Sequence, residues 1–397
     1  MSLRSSRAVA VALVTFATFT DIVAYSVAVP VLPDLGRRLG ASPTMIGLLF
    51  ASFGVTLLLV SIPMGAISDR VGRKAPLVWG LVALAASTVL FAFADSLPWL
   101  FAARLVQGGA DAVTWVVGFA LIADLYGPAE RGRMTGIVMS GTSMAFMIGP
   151  SIGGWLYEAG GMRLPFLAVA LLASIAAAAC LWFEPPRGRV EQEAVPIATV
   201  IREPSVAACA MLVVAIASTL SMIEPNFAMH LQSNLLFGPA RVGLVFAAAA
   251  VGNTMFHPLF GRLADRWGAR RMTFIGLVLT ACALPLLGRS WSFESAVGLC
   301  VLQSAALAVA ISPSLAYMGE ASSRVGNGSF GVSYGIYNMA WAVGLLAGPA
   351  LGGFLFERIG FARLTLAWAP ALMLVTWLLG RVQFTVRLKP DPTGTLR

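Results

Sequence analysis

GAISDRVGRK, residues 65–74, is a short charged knot between two long apolar runs, and it returns as GRLADRWGARR, residues 261–271. Both copies read Gly-x-x-x-Asp-Arg-x-Gly, followed by two further cationic positions. Asp69 corresponds to Asp265 and Gly72 to Gly268, each 196 residues on. A second echo lies further along: GPSIGGWLYE, residues 149–158, comes back as GPALGGFLFE, residues 348–357. A chain that repeats itself at about half its length is built as two similar halves.

Composition sets the class. Of 397 residues, 58% are hydrophobic and only 11% are charged, against roughly 25% charged in a soluble domain. That leaves too little polar surface for a globular protein and predicts a polytopic membrane protein. The net charge of +9 does not point to nucleic acid, because the cations gather in short loops as topology determinants do. Cys180, Cys209, Cys282 and Cys300 sit inside apolar runs and read as packing residues. His230 and His257, the two histidines, are far apart in sequence, so no metal site is expected. No cofactor motif is present either.

A membrane span needs about 20 apolar residues. Twelve stretches qualify, near 8–33, 43–68, 75–94, 99–125, 131–157, 163–183, 205–232, 240–264, 272–289, 293–320, 328–356 and 362–384. Runs this long without strand alternation must satisfy their own backbone, so an all-α membrane fold is expected. The first run begins after Arg4 and Arg7 and continues past Asp21 to Pro30 without a small-residue cleavage site, so it reads as an uncleaved span. The polar interval between spans six and seven divides the chain into a six-helix bundle at 1–184, a linker at 185–204 and a second bundle at 205–397. With the amino terminus in the cytoplasm, the termini and the even-to-odd loops hold about 19 of the 27 Lys and Arg, and the opposite side about 7. Both charged knots and both chain ends are then cytoplasmic.

The knot at 65–74 resembles the loop signature of the major facilitator superfamily, and the resemblance covers nearly the whole chain. Arg104-x-x-Gln107-Gly108 is similar to that family's fourth-span motif. Gly141 with Gly149, Pro150, Gly153 and Gly154 resembles the fifth-span motif of its proton-coupled antiporters. Asp21 with Pro30-Val31-Leu32-Pro33 resembles the first span of the twelve-span drug:proton branch. Met222-Ile223-Glu224-Pro225 and Tyr317-Met318-Gly319-Glu320 look like the vesicular amine transporters and their bacterial relatives. The resemblance implies twelve helices in two pseudo-symmetric bundles. It implies a monomer that exchanges protons for a small molecule across a lipid bilayer, and no enzyme. Two lysines against many arginines, with much alanine and glycine, point to a bacterial protein and so to an inner membrane. Two positions depart from the amine-transporter pattern: Phe53 stands where those proteins carry lysine, and Asn338 where they carry aspartate.

Within the knot, Gly65, Asp69, Arg70, Gly72, Arg73 and Lys74 read either as ordinary topogenic charge or as a latch that ties spans together in one conformation. The family analogy implies Asp124 as the partner of Arg73. Gly72 permits the tight turn. The glycines within spans serve close packing, sliding, or both.

Ionisable groups inside spans are costly and mark cavities or partners. Asp21, Arg104, Asp111, Glu224 and Glu320 stand out. Asp21 is mid-span with Tyr25 one turn away, and reads as a functional carboxylate or a structural hydrogen-bonding group. Glu224 precedes Pro225, which is expected to loosen span seven. Arg104 and Asp111 are two turns apart, roughly 10 Å along one helix, too far for a direct pair. Asp111 is a third cavity carboxylate or a remote counter-charge. Glu320 falls near the cytoplasmic end of span ten. Trp115, Tyr334, Tyr337 and Trp341 are candidate cavity aromatics or simple packing. The expectation is a proton-coupled exporter of amphipathic, cationic small molecules. A nutrient symporter and a non-transporting sensor are the alternatives.

Overall fold

The computed structural model describes residues 6–184, 197–323 and 330–387. The helices are α1 (Arg7–Arg38), α2 (Pro43–Val71), α3 (Lys74–Ala92), α4 (Leu97–Leu125), α5 (Pro128–Gly160) and α6 (Arg163–Trp182). After the short α7 (Ile197–Ile201) follow α8 (Pro204–Asn234), α9 (Pro239–Trp267), α10 (Ala269–Leu287), α11 (Phe293–Ser323) and α12 (Phe330–Arg387). No strand occurs among the described residues. Several helices start on a proline in the first turn, as at α2, α5, α8 and α9, where its fixed φ suits the helix and its missing N–H costs nothing.

Among the described residues eleven helices, not twelve, are long and apolar enough to cross a membrane. The difference lies in α12, whose apolar part runs for 47 residues, about 70 Å as a straight helix against a hydrocarbon core of about 30 Å. Gly360, at φ 72° and ψ 167°, breaks it. The two arms of α12 are the expected spans eleven and twelve, joined by one glycine turn instead of a loop. Gly161, at φ 66°, makes the matching turn between α5 and α6. The expected linker at 185–204 lies partly outside the described residues; α7 and the start of α8 occupy its end.

All inter-helix turns fall at two ends. One end carries the charged knots, at α2–α3 and α9–α10; the other, here the far end, carries the α1–α2, α5–α6, α8–α9 and Gly360 turns. Within the first six helices α1 packs on α5, α2 on α4 and α3 on α6. Within the remainder α8 packs on α12, and α11 on α9 and α10. Lipid tails are as apolar as leucine, so close packing through small residues, not hydrophobic exclusion, holds such helices together.

Two seams join the halves: α2 against α12, and α5 against α9. Both are tightest at the far end. Gly47 faces the backbone of Pro349 and Gly353, and Gly154 faces that of Pro239, so that a Cβ at either site would collide with main chain. Towards the charged-knot end α5 comes free: Gly132 and Gly136 have nothing within 4 Å, while Met255 and Leu259 on the facing half of α9 are exposed. The molecule is sealed at the far end and loosens towards the knots.

Candidate functional site in the sealed interior

The first polar cluster sits midway along α1, α4 and α8. Tyr25 on α1 donates its phenol hydrogen to Glu224 Oε2 on α8 across the two halves, at 2.5 Å. One turn back on α1, Asp21 accepts from Trp115 Nε1 of α4 at 3.0 Å through Oδ2, and its carboxyl also lies within hydrogen-bond reach of Asp111. Asp21 is 1% exposed, Asp111 6%, Glu224 7% and Arg104 0%. Four ionisable groups, with Tyr25, are thus enclosed together.

Arg104 has an unusual setting. Its Nη1 donates to Gln107 Oε1 at 2.8 Å, while Nε and Nη2 have no hydrogen-bond partner. The guanidinium is ringed instead by aromatic faces, 4.5 Å from the centroid of Phe50, 5.4 Å from Tyr25, 5.7 Å from Phe53 and 5.9 Å from Phe91. Ring quadrupoles stabilise a desolvated cation by about 2 kcal/mol or more, and an arginine stays charged throughout. As the spacing implied, no ion pair joins Arg104 to Asp111 among the described residues. Phe53, the position that departs from the amine-transporter pattern, contributes to this cage and also packs on Tyr25, centroids 5.2 Å apart.

Glu224 is positioned by α8, which runs unbroken through Pro225 from Pro204 to Asn234. The helix does not stop at the proline. Proline's φ fits a helix, and buried packing against α12 holds the turn, with Asn226 Nδ2 donating to Met222 O at 2.7 Å. Tyr337 is turned away from the cluster and pairs with Ser314 at 3.0 Å and stacks on Trp341. Asn338 is half-buried on α12. Glu320 is exposed at the knot end of α11, away from the enclosed groups. The side chain of Tyr334 lies outside the described residues.

At the charged knot, Arg73 is the hub. Its Nε donates to Asp124 Oδ2 at 2.8 Å, Nη1 to Ser68 Oγ at 2.6 Å, and Nη2 lies 2.6 Å from Asp69 Oδ1. It therefore ties the end of α2 and the start of α3 to the end of α4. Gly72, at φ 87°, makes the turn, and Gly268, at φ 89°, makes its twin. The second knot has Ala269 where the first has Arg73, so the same tether cannot form there. Ser68 was not singled out in the sequence; its small hydroxyl within the knot is the only signal for it.

The fifth-span motif lies where the halves meet. Gly149 faces Ser26, Gly153 faces Val27, and Gly154 and Pro150 meet Pro239 and Gly243 of α9. The motif's last residue, Glu158, accepts from the backbone N–H of Ala240 at 2.9 Å. Its repeat, Glu357, accepts from Ser42 Oγ at 2.8 Å and Thr44 N at 2.9 Å. Each glutamate caps the first turn of a helix in the opposite half, which satisfies amides that have no partner within their own helix.

The model of the Major Facilitator Superfamily matches residues 14–225 and again residues 207–395. This chain belongs to that superfamily. It is 30% identical over 388 residues to a probable vesicular acetylcholine transporter-B of Danio rerio, covering 91% of this chain and 78% of the relative. It is 28% identical over 337 residues to the human chromaffin granule amine transporter, with 84% and 62% covered. The chain thus spans less than two thirds of that second relative. Among solved structures, superfamily architecture is seen in a bacterial homolog of the human lysosomal transporter Spinster, captured inward-facing and occupied. It has a TM-score of 0.80 at 16% identity, over 97% of this chain and 99% of that one. The two successive matches of the superfamily model agree with the internal repeat of the motifs.

Proposed function

We propose that the protein is a proton-coupled antiporter that exports amphipathic cationic small molecules by alternating access, with the knot end in the cytoplasm. The observation that carries this reading is the Tyr25–Glu224 contact between the halves, with Asp21 and Asp111 beside it. Carboxylates enclosed at the meeting of two bundles are places where a cation and a proton compete for the same charge. The far-end seal and the loosened knot end correspond, in this reading, to an inward-facing state. The two bundles, 1–184 and 205–397, rock about the α2–α12 and α5–α9 seams, with the Arg73–Asp124 tether keeping the ends of α2, α3 and α4 together. Relatives named for acetylcholine and amines favour a cationic substrate. Phe53 and Asn338 set this chain's interior apart from theirs, so its substrate is a different member of that class.

The test is proton movement in proteoliposomes of known orientation, with organic cations, neutral drugs and sugars added in turn. Organic cations should elicit proton movement opposite to their own in the wild type and none in Asp21→Asn. Protons moving in the same direction as a sugar would assign a symporter instead.

A further inference from the structure

Asp21 and Asp111 have been described as neighbours; their protonation follows from what surrounds them. Asp21 Oδ2 takes the indole hydrogen of Trp115. Asp21 Oδ1 is buried and has no donor at all. Asp111, whose carboxyl lies within hydrogen-bond reach, brings only acceptor oxygens if ionised. Neither carboxylate has an ion pair among the described residues. Arg104, on the same helix as Asp111, donates to Gln107 and is held in its aromatic cage. The other titratable groups facing this space are Tyr25 on α1 and Glu224 on α8, and these are bonded to each other. Two carboxylates in contact in an enclosed site are not both ionised while no substrate cation is bound beside them. One proton between them removes the repulsion and supplies the donor that Asp21 lacks.

We propose that Asp21 and Asp111 form an acid pair that holds a single shared proton, and that this pair is the proton site of the transporter, separate from Glu224, which takes the substrate cation. The proposal rests on the antiport reading above and divides it between two sites. The pair spans α1 and α4 of the first bundle, whereas Glu224 belongs to the second, so proton and substrate are held by different bundles. Tyr25, one turn from Asp21 and bonded to Glu224, links them. The pair titrates as a unit, so its proton belongs to both residues and to neither alone.

The test uses the full chain in lipid nanodiscs and infrared difference spectroscopy of the carboxyl carbonyl stretch during a pH titration. The wild type should show one protonated-carboxyl band persisting at a pH where exposed carboxylates are ionised. Asp21→Asn and Asp111→Asn should each abolish it, because the remaining carboxylate then receives an amide hydrogen bond and needs no proton. Glu224→Gln should keep it. Trp115→Phe leaves both carboxyls in place and should shift the band without removing it, which serves if an Asp variant fails to fold. A band that survives Asp111→Asn, or that is lost only in Glu224→Gln, overturns the proposal. In parallel, proton release per bound tetraphenylphosphonium is measured by calorimetry in two buffers of different ionisation enthalpy. The wild type should release about one proton and Asp111→Asn none; release unchanged in Asp111→Asn also overturns the proposal. Wild-type binding with no proton release, alongside an intact pair-dependent band, would instead remove the antiport reading.

Discussion

Glu224→Gln separates charge from shape. The carboxylate is 7% exposed and accepts the Tyr25 phenol hydrogen at 2.5 Å. Glutamine keeps an acceptor oxygen in the same place, so the bond between α1 and α8 survives in neutral form and the packing around it is kept. What disappears is one negative charge, while the caged Arg104 cation stays. A cation about 4 Å from a carboxylate at an effective dielectric near 20 gains about 4 kcal/mol, and buried charge pairs lose about 2–5 kcal/mol on truncation. At about 1.4 kcal/mol per tenfold, a loss of about 2–4 kcal/mol weakens a cationic ligand by roughly 30-fold to several hundred-fold. A neutral ligand of the same shape loses only its dipolar contact and should change by less than about threefold. The assay is equilibrium binding of matched charged and neutral compounds to wild type and variant at two pH values. Equal losses for both compound types would refute the assignment of Glu224 as the cation site and leave it a proton carrier.

Three further outcomes are expected. Asp124→Asn removes the charge that Arg73 Nε engages, and turnover should fall several-fold while equilibrium binding is unchanged; a variant that loses binding but keeps turnover would contradict the tether. Gly154→Leu pushes α5 from the Pro239 backbone, where overpacking costs about 1–3 kcal/mol. In a background lacking the native cysteines, a cysteine at Phe146 should then react with impermeant thiol reagents from the far side as well as the knot side, and unchanged sidedness would disprove the seal. Leu236 has φ 55° at the position matching Gly40, at φ 76°, 196 residues earlier. Leu236→Gly relieves a left-handed backbone cost of about 1 kcal/mol and should raise the melting temperature slightly; a marked fall would show that the leucine's packing outweighs the strain.

The fold was legible in the sequence because its signals are long and repeated. Apolar runs fix the helices, and the two knots and the two GP–GG motifs fix the halves. The interval between spans eleven and twelve was legible from Glu357 and Arg358, but not that Gly360 alone makes the turn, because that depends on its backbone conformation. Asp21, Arg104, Asp111 and Glu224 were legible one by one, because a charge inside a span is conspicuous wherever it stands. Their partnerships were not. Nothing in the spacing says that Phe50, Phe53 and Phe91 converge on Arg104, since phenylalanine in a span looks the same whether it faces lipid or a cation. The Asp21–Asp111 contact depends on how α1 rotates against α4, which the close approach of Gly118 to Val14 helps to set. Pro225 marks the turn beside Glu224, but that α8 continues through it depends on packing against α12. Glu158 and Glu357 ended motifs already in view, but their role as caps depends on which helix crosses theirs.

The caged guanidinium has a consequence for energetics at the scale of the whole membrane. Arg104 contributes +1 at every stage. With the shared proton on the acid pair, the other member of that pair and Glu224 contribute −2, so the proton-loaded interior carries −1. A monovalent cation at Glu224 that displaces this proton adds one positive charge as the pair loses one, so the cation-loaded interior carries −1 as well. Both loaded states that cross then carry the same charge, and each full cycle exchanges one proton for one monovalent cation with no net current. Such a cycle is driven by the pH difference alone and does not respond to voltage. A divalent substrate, in contrast, would move charge and feel the field, at about 2.3 kcal/mol per elementary charge per 100 mV.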